Sequence, residues 1–211
     1  MDFDTGSSDL FLPGSNCGST CDGHTLYDPS ASSTSIDIGQ TFELKYGDGS
    51  TVSGEQYTDT VTLAGFKVSR DCTECILLWL TDLFQETRQT LGAATTYSSG
   101  FQSSQFPADG LLGMGYESIS SYGASPVFQT LVSQGQVSTP VFGFYFAESG
   151  SELYIGGTDK NHYTGSFTYM PVTTQVGMHN DAFGSIFNIN IAGILARLIR
   201  RYFCQREDCY R

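Results

Sequence analysis

A chain of 211 residues has room for one substantial core or two small domains. Its formal net charge of −12 is uneven: five of the ten basic residues fall in the last fifteen positions, and the acidic body before them would repel phosphates, which argues against nucleic-acid binding. The longest apolar stretch near the end, residues 186–199, holds Asn188, Asn190 and Arg197 and is too short and polar for a membrane span.

Short alternating stretches rich in Thr, Val, Tyr and Phe recur between Gly, Ser and Asp clusters, so an all-β domain with many turns is expected. The first chemistry-bearing stretch is Asp4-Thr5-Gly6-Ser7-Ser8-Asp9. An acid, a small hydroxyl residue and a glycine suit a tight loop that presents a carboxylate. Thr5 and Ser7 can hydrogen-bond that carboxylate, and Gly6 leaves room for another backbone. Alone, the same string suits an ordinary polar turn. Because the loop begins four residues from the start, no signal peptide is expected within this chain.

Cys17 and Cys21 enclose Gly-Ser-Thr, a spacing compatible with a bridge in a secreted protein. It is weak as a metal site, with His24 the only nearby nitrogen ligand. Residues 28–34 read as a surface turn. Thr41 to Tyr46 alternates apolar and polar residues as a strand does, and Gly47-Asp48-Gly49-Ser50 is a hairpin turn signal. The returning strand runs through Val52, and Tyr57 to Leu63 continues the sheet.

Residues 70–87 break the pattern with Cys72-x-x-Cys75, several leucines and Trp79. A redox or zinc role lacks a second pair of ligands, and a helical insertion is also possible. Phe106 to Gly115 contains Leu111-Leu112-Gly113, which suits a buried strand ending in a tight crossing. Ser125 to Val132 reads as a short helix, with Ser125 as N-cap, Pro126 in the first turn and Gly135 at the end. Val127, Phe128, Leu131 and Val132 form its apolar face. Residues 141–146 and 152–155 read as strands joined by a Gly-rich turn.

Taken in order, Asp4 to Pro13, Cys17 to Cys21, Tyr46 to Ser50, Asp109 to Gly115 and Glu152 to Thr174 resemble the pepsin-like aspartic proteases, especially the secreted fungal ones. The likeness covers roughly three quarters of the chain, and its order makes it specific. It implies an all-β, pepsin-like acid protease fold: one β-barrel-like lobe over residues 1–150, then a lobe-crossing segment and the start of a second lobe over 151–174. Residues 175–211 form a tail unlike the family. The implied function is an endopeptidase that hydrolyses peptide bonds in proteins at acidic pH, secreted or vacuolar, with protein or peptide substrates and no metal or organic cofactor. Asp4 would be one of two catalytic aspartates, supported by Thr5, Gly6 and Ser7. Tyr46, Gly47 and Asp48 would belong to a flap that closes over the peptide. Phe106 and Leu111 would line the pocket beside the scissile bond, and Cys17 would pair with Cys21.

Two departures stand out. The family often has a tryptophan at the position of Phe11, whose ring N–H bonds the flap tyrosine; Phe11 has no donor, so the flap should lack that tether or use a water. The sequence also holds a single Asp-Thr-Gly, with no second such motif after Thr174. The expectation is therefore an amino-terminal lobe truncated at both ends, lacking its carboxy-terminal lobe, with residues 70–87 a retained intron. The alternatives are an inactive relative that binds peptides or proteins, and a homodimer of single lobes.

Overall fold

The alternation at Thr41-Phe42-Glu43-Leu44 buries every second side chain, and the chain answers with a strand at this position. The computed structural model describes residues 1–68, 88–147 and 149–167. The expected insert at 70–87, with Cys72, Cys75 and Trp79, lies outside the described residues, as do residues 168–174 and the tail at 175–211 with Cys204 and Cys209. The described residues fall into two compact units, one within Met1–Ser138 and one within Thr139–Thr173.

The first unit is built on a six-stranded sheet. Its strands are β1 (Asp2–Asp4), β2 (Leu10–Pro13), β3 (Ile36–Lys45), β4 (Thr51–Asp59), β7 (Gln89–Tyr97) and β8 (Leu111–Gly113), in the spatial order β1-β8-β2-β7-β4-β3. Pairing is mixed: β1 with β8 and β2 with β7 are parallel, and the other neighbours are antiparallel. β1 and β3 are its edges, so among the described residues the sheet is all-β as expected but not closed into a barrel. A separate small hairpin joins β5 (Val61–Leu63) to β6 (Phe66–Val68). Its two turn residues, Ala64 and Gly65, both take positive φ (50° and 82°), the conformation a tight two-residue hairpin demands.

β3 begins at Ile36, five residues before the predicted strand, because the register shifts between Asp37 and Thr41. Gly39 takes a φ of 72° there, and its N–H donates to Asp37 Oδ1 at 2.7 Å. One α-helix, α1 (Val127–Ser133), occurs among the described residues and buries Val127, Phe128 and Leu131. Ser125 does not cap it. Its hydroxyl donates to Glu117 instead, and Pro126 takes the cap position. Gly135 ends the helix with a φ of 68°, as its position in the sequence implies.

The core gathers Phe11, Phe42, Leu44, Val52, Ala94, Tyr97, Phe101 and Leu111 around the Cys17–Cys21 disulfide. Phe11 is fully buried and meets Tyr97 and Phe101 edge-on, with centroids 5.8 and 5.3 Å away. Burial of such a ring contributes roughly 1.5–3 kcal/mol, and each edge contact about 0.5–1.5 kcal/mol more. Asp59 is a buried charge of this unit. It accepts hydroxyls from Tyr27, Ser32 and Thr34 and the N–H of Thr60. Burial alone would raise this carboxyl, but the four donors together hold it below the ordinary carboxylate range.

The second unit holds the antiparallel pair β9 (Phe142–Tyr145) and β10 (Glu152–Ile155), close to the two strands predicted there, and a 3-10 turn at Lys160–His162.

Candidate active site

β1 and β2 follow each other in sequence, yet β8 lies between them and pairs with both. The loop from Asp4 to Asp9 is therefore pinned at both ends by one strand. Three N–H groups at the end of β8 and just beyond complete the pinning: Met114 donates to the Asp4 carbonyl at 2.7 Å, Gly115 to that of Ser7 at 2.8 Å, and Gly113 to that of Asp9 at 2.9 Å. This contact needs a residue without a Cβ. One added to Gly113 would stand 2.4 Å from the Ser8 carbonyl carbon and 2.5 Å from the Asp9 nitrogen. The tight crossing expected at Leu111-Leu112-Gly113 is thus the back wall of the Asp4 loop.

The Asp4 carboxylate is half-buried. The Gly6 N–H donates to Oδ1 at 2.8 Å and the Ser7 hydroxyl to Oδ2 at 2.6 Å, so each oxygen is held by one donor. Thr5 was expected to share this task with Ser7. Among the described residues its place is taken by the Gly6 backbone, because the tight loop turns that N–H inward. Ser8 is buried and donates to the Tyr116 carbonyl at 2.6 Å.

Asp9 is a second, fully formed anchor that the sequence did not reveal. It is buried, and it accepts the Ser120 hydroxyl at 2.6 Å and the N–H groups of Ser121 and Tyr122 at 2.8 and 3.3 Å. Its partners lie more than 110 positions away, so no local pattern could have found them.

The β3–β4 hairpin carries the expected flap residues. Tyr46 closes the turn: its N–H donates to the Ser50 carbonyl at 2.8 Å and its carbonyl accepts from Gly49 at 2.9 Å. Gly47 and Asp48 sit exposed at the tip. Both Asp48 carboxylate oxygens turn back onto Ser50, accepting its N–H at 2.9 Å and its hydroxyl at 2.8 Å. The Tyr46 ring meets Phe11 and Phe101 edge-on at 6.2 and 5.1 Å. Burial pushes the Tyr46 hydroxyl well above the ordinary tyrosine range, and the Asp4 and Asp9 charges push the same way. The Ser7 hydroxyl works in the opposite sense. Phe11 has no donor to offer this phenol, and the Ser7 hydroxyl gives its own hydrogen to Asp4.

Of the two pocket candidates, Leu111 is buried in the core and faces Phe11 across the β2–β8 pair. Phe106 is half-buried against Phe101, with centroids 5.2 Å apart. Phe101, which the sequence reading passed over, is the hub that joins Tyr46, Phe11, Tyr97 and Phe106. No helix among the described residues is long and apolar enough to cross a membrane.

Comparison with known proteins fits this geometry. A family model described as eukaryotic aspartyl protease matches residues 1–74 and 81–197. The chain is 40% identical over 176 residues to an aspartic protease of Phaffia rhodozyma, covering 83% of this chain and 38% of that protein. It is 38% identical over 184 residues to rhizopuspepsin-2 of Rhizopus niveus, covering 85% and 42%. With cathepsin E of Cavia porcellus it shares 36% identity over 178 residues, covering 82% and 40%. The chain spans about two fifths of the length of these relatives.

Proposed function

The chain belongs to the eukaryotic aspartyl protease family, and on that premise we propose that it supplies one half of an acid endopeptidase site, with Asp4 as one of the two catalytic carboxyls. The observation that carries the proposal is the Asp4 loop, where Gly6 and Ser7 each hold one carboxylate oxygen and β8 braces the backbone behind.

Peptide hydrolysis by such a site needs a carboxylate to take a proton from water and a carboxylic acid to donate one to the scissile carbonyl. Two carboxyls in contact divide these roles because both cannot easily ionise together, and aspartic proteases are themselves the type case. Gly6 and Ser7 fix the plane of the Asp4 carboxylate, so its free lone pairs face the shared water. Tyr46 closes over the peptide, Gly47 and Asp48 lie at the flap tip, and Phe106 and Leu111 form the apolar wall beside the scissile bond. Closure excludes water other than the attacking one. The substrate is a protein or peptide, the working pH is acidic, and the protein acts outside the cell or in a vacuole. This sequence has one Asp-Thr-Gly, so the second carboxyl comes from a second lobe outside these 211 residues.

The test is a chimera in which residues 1–167 are continued by the carboxy-terminal part of the Rhizopus niveus relative. It is assayed on denatured casein between about pH 3 and 6, the carboxylate range. Acid proteolysis should appear and fall at least about 100-fold in Asp4→Asn. Equal activity in Asp4→Asn would remove Asp4 from the chemistry. The purified 211-residue chain should hydrolyse nothing by itself. If it does, and Asp4→Asn abolishes the activity, two copies supply the pair and the second-lobe reading falls.

A further inference from the structure

Outside the Asp4 site, three ligand-bearing side chains converge in the second unit. Glu152 opens β10, directly opposite Tyr145 of β9. The 3-10 turn after β10 is capped by Asp159, whose Oδ1 accepts the Asn161 N–H at 2.8 Å. The His162 N–H closes the turn on the Asp159 carbonyl at 3.2 Å. His162 Nε2 then lies 3.1 Å from Glu152 Oε2 and 3.6 Å from Asp159 Oδ2. The ligand atoms of all three residues lie within 4.8 Å of one another.

Two carboxylates approach one imidazole nitrogen. A proton on Nε2 serves Glu152, which stands at hydrogen-bond distance (3.1 Å), and leaves Asp159 at 3.6 Å without a hydrogen bond to the ring. A divalent ion serves all three. Bonds of about 2.0–2.2 Å at tetrahedral angles set donor atoms roughly 3.3–3.6 Å apart, close to the two spacings observed. The supporting contacts are also in place. Tyr145 stacks on the imidazole with centroids 3.8 Å and planes 12° apart, which fixes the ring, and Asn161 holds the Asp159 oxygen that does not face the centre. The three side chains are 25–34% exposed, so water can reach the remaining coordination position.

We propose that Glu152, Asp159 and His162 form a binding site for a divalent transition metal of the Zn²⁺ type, which clips the β9–β10 hairpin to the turn that follows it. One imidazole and two carboxylates suit Zn²⁺ better than Mg²⁺, which prefers an all-oxygen octahedron. The site has no role in peptide hydrolysis and does not depend on the reading of Asp4.

The experiment is isothermal titration of the purified full chain with ZnCl₂ at about pH 7.5, where the carboxylates are ionised, with MgCl₂ as comparison. Free thiols are first alkylated so that cysteines cannot compete. The expected result is saturable binding of one Zn²⁺ per chain, weakened at least tenfold in His162→Gln and in Glu152→Gln, since even partners of ligands cost about that much. Asp159→Asn serves as a third variant, because its amide oxygen can still cap the turn; it should weaken Zn²⁺ similarly while the circular dichroism spectrum is unchanged. Absence of saturable binding, unchanged affinity in these variants, or Mg²⁺ binding as tightly as Zn²⁺ would each overturn the proposal.

Discussion

Replacing Gly113 by alanine should loosen the Asp4 loop from the strand that braces it. The added methyl would meet backbone atoms of Ser8 and Asp9 at 2.4 and 2.5 Å, whereas ordinary contact begins at 3.4 Å. Backbone cannot rotate away as a side-chain tip can, so β8 and the loop must separate by about 1 Å. That displacement would stretch the hydrogen bonds from Gly113, Met114 and Gly115, now 2.7–2.9 Å, past the useful range. Overpacking typically costs 1–3 kcal/mol and each lost bond about 1 kcal/mol. Because both figures describe one displacement, the expected loss is about 2–4 kcal/mol. Urea unfolding of the full chain, followed by far-ultraviolet circular dichroism, measures it. Gly47→Ala is the control: its Cβ would meet open space, so its effect should stay within about 0.5 kcal/mol. In the chimera, a shift of this size should also cost on the order of 100-fold in turnover. A Gly113→Ala midpoint no lower than that of Gly47→Ala, at equal slope, would refute the reasoning.

Asp59→Asn should destabilise the first unit at neutral pH by about 1.5–3 kcal/mol, the range for hydrogen bonds to a charged group. The folded Asp59 carboxyl lies below its unfolded value, so its contribution is present above about pH 4 and fades as the pH drops through the folded value. Stability measured against pH should therefore fall less steeply in the variant below about pH 4, and parallel profiles would contradict this. Asp9→Ala strands three donors from Ser120, Ser121 and Tyr122 and should cost about 3 kcal/mol; Asp9→Asn should cost less, since its amide oxygen still accepts. In the chimera, Tyr46→Ala should lower catalytic efficiency more than melting temperature. A collapsed melting temperature with unchanged turnover per folded molecule would make Tyr46 a core residue.

Much of the fold could be read locally. The alternation at Thr41 to Leu44, the glycines around Asp48 and the apolar face at Val127, Phe128 and Leu131 each carry their own signal, and each forms the element it implies. What was missed depended on distant partners. Ser125 has the chemistry of a cap, but Glu117 outcompetes the helix for its hydroxyl. Thr5 has the right hydroxyl, but a loop pinned by β8 presents the Gly6 N–H instead. Asp9 looked like part of a polar turn because the N–H groups that bury it arrive from Ser121 and Tyr122. Glu152, Asp159 and His162 are ordinary surface residues in sequence and converge only once β10 and the following turn are in place.

The placement of β8 between β1 and β2 has a consequence for synthesis. Asp4 leaves the ribosome 107 residues ahead of Leu111, where the strand that shapes its loop begins. At about 5–20 residues per second, that strand follows roughly 5–20 s later. Until then Asp4 to Asp9 is a polar segment without its wall, and the sheet edge on each side of the gap stays unpaired. Closing so long a loop is an entropic step that local structure cannot replace. The nascent acid loop therefore takes shape late, and a chain that stalls before Leu111 exposes strand edges without ever assembling this half of the site.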